Sequence, residues 1–136
     1  DELLTHSDFV SVSTSLNSSS KHLIGDNELA RMKSTAFLVN TSRGGVIDQA
    51  ALLRALRGCT IAGAGLDTFE TEPLETFEDF AGLPNVVATP HVGGYTVGAV
   101  CKANVMAAQN VVSVLQGKPD DIVGLVNPDY VREGRS

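Results

Sequence analysis

Tryptophan is absent from the 136 residues, and five phenylalanines and two tyrosines are all the aromatics present. With no basic run either, the chain offers neither the stacking platform nor the cationic face of a nucleic-acid-binding module. Positive charge is in deficit. Ten lysines and arginines against 16 aspartates and glutamates leave a net charge of −6, which speaks against nucleic acid or an anionic membrane as the main partner. Cysteine is scarce too: Cys59 and Cys101 stand far apart, with no second cysteine at metal spacing. They could form one disulfide, but buried, reduced thiols in a cytosolic protein are the simpler reading, and no metal site is expected. No apolar run is long enough to span a bilayer and no signal peptide opens the chain, so the expected compartment is the cytoplasm. Methionine is missing from position 1, and the opening Asp1-Glu2-Leu3-Leu4 reads as mid-sequence, so a fragment is expected.

A phosphate-binding glycine fingerprint is also lacking. Gly63 and Gly65 form a Gly-x-Gly, but Thr68 takes the third glycine position and the pair lies inside a strand-like run. Close backbone packing is the better reading. Gly93 and Gly98 have the spacing of a P-loop, yet Ala99 stands where its lysine would be.

What is present is an alternation of short apolar runs and helical patterns. Residues 8–14 (DFVSVST), 36–41 (AFLVNT), 60–66 (TIAGAGL) and 86–89 (VVAT) read as strands. A short helical pattern covers 27–32. Asp48 is a good N-cap for a helix to Arg57 with Gly58 as C-cap, its apolar face being Ala50, Leu52, Leu53, Ala55 and Leu56. An irregular acidic loop is expected over 70–84. The longest helix runs from Thr96, its N-cap, to Gln116, with Val100, Ala103, Ala107, Val111 and Val114 at helical spacing. Strand and helix in alternation predict an α/β fold: a parallel, Rossmann-like half-domain with a long C-terminal helix.

Three groups with chemistry in them follow strand-like runs. Arg43 sits before two glycines in 40–45 (NTSRGG), and a guanidinium fork matches the two oxygens of a carboxylate. Glu70, Glu72, Glu75 and Glu78 share one acidic loop, and composition does not choose among them. Pro73 fixes the backbone just after Glu72. His91 lies in 89–94 (TPHVGG). A carboxylate partner fixes a histidine's tautomer and favours its protonated form, and such a pair can trade a proton with a substrate hydroxyl near neutral pH. His6 and His22 have no comparable setting. Open α/β sheets bind ligands beyond the carboxyl ends of their strands, which is where all three groups fall.

The blocks LVNTSRGGVIDQAALLRAL, AGAGLDTFETEP and NVVATPHVGG together resemble the D-isomer-specific 2-hydroxyacid dehydrogenases, a family that includes phosphoglycerate, glyoxylate/hydroxypyruvate and D-lactate dehydrogenases. The resemblance covers roughly residues 5 to 128. It implies that Arg43 binds the substrate's carboxylate and carbonyl oxygen, that His91 is the general acid/base, and that Glu72, the glutamate before proline, hydrogen-bonds His91. It also implies cofactor contacts, with NAD or NADP, at Ser13, Thr41, Ser42, Arg43, Asp67, His91, Gly93 and Gly94. Asp67 is expected near the nicotinamide amide. The reaction implied is hydride transfer between the cofactor and C2 of a small 2-hydroxy or 2-keto acid. Ser13-Thr14-Ser15 departs from the His-x-Pro of many relatives.

On this reading residues 1–126 are the C-terminal portion of an NAD(P)-binding domain and 127–136 begin the return to a substrate domain. A homodimer is expected of the full-length form. The segment 8–14 would pair with a further strand that the chain does not contain, leaving an edge open to association. Without a glycine turn there is little to hold a pyrophosphate, so the chain alone is expected to bind dinucleotide weakly or not at all and to show no turnover. An NAD(H)-sensing, corepressor-like module and an inactive remnant are the alternatives, because the same three side chains are compatible with both.

Overall fold

A computed structural model describes residues 2–73 and 78–126, in two compact units, 1–93 and 94–136. The segment 127–136, expected to begin the return to a substrate domain, lies outside the described residues, as does Glu75. The boundary between the units falls at Gly93–Gly94.

The first unit is a parallel α/β layer. Strands β1 (Phe9–Val12), β2 (Phe37–Asn40), β3 (Gly63–Leu66) and β4 (Val86–Ala88) pair side by side in chain order, every pair parallel. Helices α1 (Glu2–His6), α2 (Asp26–Arg31), α3 (Gln49–Arg57) and α4 (Glu78–Ala81) punctuate them. The two-residue strand period puts Val10, Val12, Leu38, Ala64 and Leu66 on one face, in a single core with Leu29, Ala51, Leu52, Ala55, Leu56 and Phe80. Leu29, Leu38, Leu52 and Leu56 are essentially sealed, and each contributes roughly 2 kcal/mol by burial. On the opposite face Phe9 stacks on Phe37, ring centroids 5.6 Å apart, and both are exposed.

The four strands end level. Val12, Asn40, Leu66 and Ala88 form one rung across the sheet. The segments that leave this rung carry every predicted site residue of the unit.

Helix boundaries follow local capping chemistry. Asp48 caps α3, its Oδ1 accepting the Ala51 N–H at 2.9 Å. The buried side of α3 is Ala51, Leu52, Ala55 and Leu56; Ala50, expected on it, is exposed, and Leu53 is half-buried. Gly58 is the C-cap, as expected, but the left-handed residue is the next one, Cys59, at φ 52°. Thr60 N–H donates to Ala55 O and Cys59 N–H to Leu56 O, the paired bonds of a Schellman exit. Thr60 serves that exit and Ala62 N–H bonds Ala36 O just before β2, so β3 itself begins at Gly63 and not at Thr60. Gly63 carries the close packing expected of the glycine pair: a Cβ there would collide with Asn85 O and press against the Phe37 ring. At Gly65 a Cβ would make ordinary contact, so that half of the reading fails. Both cysteines are free, and both are exposed where burial was expected.

In the second unit α5 (Val97–Leu115) is capped by Thr96, whose Oγ1 accepts the Ala99 N–H at 3.1 Å. It closes through Gly117 at φ 69°, with Lys118 N–H bonded to Ser113 O. The Asn110 amide clasps Val123 from both sides, Nδ2 to its carbonyl and Oδ1 to its N–H, each 3.0 Å. The apolar stripe of Val100, Ala103, Ala107, Val111 and Val114 builds no core within this unit, since no residue of α5 is buried. Among the described residues no helix is long and apolar enough to cross a membrane, and no group of three histidines, cysteines or carboxylates could hold a metal ion.

Candidate active site

Arg43 stands three residues beyond the rung on the β2 side, His91 three beyond it on the β4 side, and Glu72 further along the β3 exit. Parallel pairing brings the three exits to one edge. Glu72 is the carboxylate that meets the histidine: its Oε2 lies 2.7 Å from His91 Nδ1. Its other oxygen accepts the Phe69 N–H at 2.9 Å, which turns the carboxyl group toward β4. An ionised carboxylate only accepts, so Nδ1 carries the proton and Nε2 is left for a ligand. The His91 hydrogen bond, then the Phe69 N–H, hold the Glu72 carboxyl below the ordinary glutamate range. Burial opposes them, and the charges of His91 and Arg43 add to them.

Arg43 reaches this pair through a glycine. A Cβ on Gly44 would collide with the Phe69 carbonyl group and with Glu70 N, so the arginine turn lies directly against the backbone that carries Glu72. Arg43 itself is extended (φ −143°, ψ 136°) and exposed, with its Nη1 donating to Ser42 O at 2.7 Å.

The loop of His91 is gripped from below by Asp67, the first residue after β3. Asp67 Oδ1 accepts the Thr89 hydroxyl and the Val92 N–H (2.5 and 2.9 Å), and Oδ2 accepts the Gly93 N–H at 2.8 Å. The Thr89 bond first, then those amides, pull the Asp67 carboxyl below its ordinary range. Between these anchors His91 sits at φ 55°, a left-handed backbone that costs a non-glycine residue of order 1 kcal/mol and recurs at functional sites. Gly93 has no room for a side chain, since a Cβ would meet Asp67 Oδ2 at 2.8 Å.

Two recesses open at this edge. One of about 420 Å³ is lined by Phe69, Glu72, Pro73, Ala88, Thr89, Pro90 and His91. Another of about 520 Å³ is lined by Thr14, Ser15, Leu16, Ser42 and Arg43. Ser13 and Thr41 stand exposed just past the rung, at the ends of β1 and β2. Gly94 belongs to the second unit.

Residues 1–93 match the family model described as the D-isomer specific 2-hydroxyacid dehydrogenase NAD binding domain, about two thirds of the chain. The chain belongs to that family. It is 42% identical over 132 residues to glyoxylate/hydroxypyruvate reductase B of Enterobacter agglomerans, a match that covers 97% of this chain and 40% of that protein. The glyoxylate reductase of Aeropyrum pernix is likewise 42% identical over 132 residues, with 97% and 39% covered. Among solved structures, a glyoxylate reductase from Paecilomyes thermophila superposes with a TM-score of 0.83 at 35% identity, covering 95% of this chain and 38% of that one. The D-isomer specific 2-hydroxyacid dehydrogenase of Lactobacillus delbrueckii ssp. bulgaricus, solved in its NAD-complexed form, gives 0.82 at 31% identity over 91% and 42%. The chain thus spans about two fifths of the length of these dehydrogenase relatives.

Two features of this site have little signature in the sequence. Asn40 is 1% exposed, and its amide is spent on the arginine turn; a polar residue closing an apolar strand was the available signal. His22, given no role, bonds Glu70 through Nε2 at 2.6 Å across 48 residues, and no local pattern announces it.

Proposed function

We propose that this chain carries the catalytic edge of an NAD(P)-dependent D-2-hydroxyacid dehydrogenase, with Arg43, Glu72 and His91 as its working side chains. The observation that carries the reading is the 2.7 Å bond between Glu72 and His91 Nδ1 beside the arginine turn. Arg43 would take the substrate carboxylate in a two-point grip and place its positive charge beside the C2 oxygen. Protonated His91 would donate from Nε2 to that oxygen as the 2-keto acid is reduced, and neutral His91 would accept the hydroxyl proton in the reverse direction. Glu72, held ionised, stabilises the imidazolium and keeps Nε2 pointing at the ligand.

A dinucleotide fits the hydroxyl-lined recess of Thr14, Ser15 and Ser42 and the exposed ends of β1 and β2, where Ser13, Thr41, Ser42 and Arg43 would hold its nicotinamide half. When bound, the reduced cofactor, NADH or NADPH, would supply the hydride for C2 of the keto acid, and its oxidised form would accept it in the reverse direction. Asp67 retains acceptor capacity on Oδ2, which bonds only Gly93 among the described residues, and the backbone of His91 and Gly93 completes that wall. Gly94 is carried to the same role by the family motif. Residues 1–126 are then one continuous part of the nucleotide domain, in a protein proposed to act as a cytoplasmic homodimer.

The test is NADH oxidation with glyoxylate, hydroxypyruvate and pyruvate, on the full-length protein and on the 136-residue chain alone. Turnover by the full-length protein, lost on His91→Ala and absent from the chain alone, is expected. A full-length protein that binds NADH and reduces none of the three acids would overturn the catalytic assignment in favour of a nucleotide-sensing role.

A further inference from the structure

We infer that Asn40 is the positioning residue of this site, fixing Arg43 relative to the Glu72–His91 pair. The inference rests on the dehydrogenase reading above and assigns a role to a residue outside its three working side chains.

A primary amide is costly to bury unless both its ends are bonded. Asn40 is 1% exposed, and its amide spends both ends on the arginine turn: Oδ1 accepts the Ser42 N–H at 3.0 Å and the Ser42 hydroxyl at 2.9 Å, and Nδ2 donates to Arg43 O at 3.0 Å. The side chain therefore brackets the turn from both sides of the Ser42–Arg43 peptide. No other short side chain reproduces this. An aspartate lacks the donor, a serine cannot span both ends, and an alanine leaves the turn's polar groups facing the core.

The bracket matters because, among the described residues, nothing but its own neighbour holds the guanidinium. Nη1 donates to Ser42 O, so where the fork stands is decided by the backbone of residues 42 and 43. Gly44 then locks that backbone against Phe69 and Glu70. Asn40 also reaches the histidine. Its carbonyl accepts the Asp67 N–H at 3.0 Å, and the Asp67 carboxylate grips Val92 and Gly93 just beyond His91. One residue on the rung thus ties the arginine turn through its side chain and the histidine loop through its backbone. Only the first tie can be cut by substitution.

The experiment is a double-mutant cycle in the full-length protein, with Asn40→Asp and the milder Asn40→Ser, each made with Arg43 intact and with Arg43→Ala. The Asn40→Asp change would set a carboxylate oxygen against Arg43 O, where the amide donated. With Arg43 present, each variant should lower kcat/KM for the keto acid by about 10- to 100-fold, chiefly through KM. The pH at which the His91-dependent limb turns should stay where it is. In the Arg43→Ala background the same substitutions should cost about threefold or less, because the group they displace is gone.

If Asn40 only stabilises the fold, both variants lower the thermal midpoint and leave kcat/KM of the folded protein near wild type. Equal losses with and without Arg43 would also overturn the inference. Either result leaves the dehydrogenase reading intact if the parent turns over and His91→Ala does not. Failure of that reading is a different result, an inactive parent.

Discussion

Gly44 shows how one hydrogen atom decides the site. Any Cβ there falls within bonding distance of the Phe69 backbone, and a backbone cannot rotate away as a side chain can. Gly44→Ala should therefore destabilise by about 2–3 kcal/mol, through forced separation of the arginine turn from the 69–72 segment. A urea midpoint indistinguishable from wild type would show that the two segments part freely. Thr68 makes the opposite case. It is 2% exposed, and its hydroxyl has no hydrogen-bond partner among the described residues, so Thr68→Val should gain about 1 kcal/mol in the same experiment. Glu72 supplies a pH dependence. A carboxyl whose folded value is depressed contributes stability above its unfolded value, here the ordinary 4.5, and loses that contribution as pH falls through the lower folded value. Unfolding midpoints should drop below pH 4.5 in the wild type and drop less steeply in Glu72→Gln. Both partners are more than one third exposed, so the effect is modest. Arg43 and His91 stand out from their neighbours in sequence, whereas composition left the glutamates of one loop open and only the family resemblance, through the proline after Glu72, singled that one out. Composition and local pattern alone do not say which carboxylate a histidine 19 residues on will meet.

At the scale of elements, what could be read locally was read well. Asp48 and Thr96 cap α3 and α5 as expected, because a capping side chain bonds a backbone amide within its own helical turn. The strands fall within three residues of their expected ends. The misses share a cause. Thr60 looks like strand but its N–H is recruited to the exit of α3, and α1 and α4 are too short for a period to show. The two helix exits also differ in one instructive way. The left-handed position of α5 is filled by Gly117, that of α3 by Cys59. Cys59→Gly should then raise stability by about 0.5–1 kcal/mol, since glycine adopts this conformation without steric cost. A lower thermal midpoint in the glycine variant would mean that the Cys59 side chain makes a contribution its exposure does not suggest.

For the molecule as a whole, the edge position of β1 matters most. Its pairing to β2 leaves the other side of the strand without a partner among the described residues, and Phe9 on it is 71% exposed. Such an edge recruits further strands. The 136-residue chain should therefore associate with rising concentration, and Phe9→Lys should weaken that association in light scattering. Concentration-independent scattering by the wild type would sink this expectation. The fold class was legible because the chain alternates strand and helix patterns. The partition at Gly93–Gly94 was not, since no linker-like composition marks it.

The level ending of the four strands carries a constraint on length as well as on residue type. Arg43 and His91 are each spelled out three positions past a common line, so the site is measured from that line as from a ruler. Each strand residue advances the chain by about 3.3 Å and turns its side chain over. One amino acid added inside β2 would move the arginine off its mark and expose Asn40 on the wrong face, with every chemical group still present. Single-codon insertions and deletions at this edge should therefore be as damaging to turnover of the full-length protein as replacing Arg43 or His91 themselves.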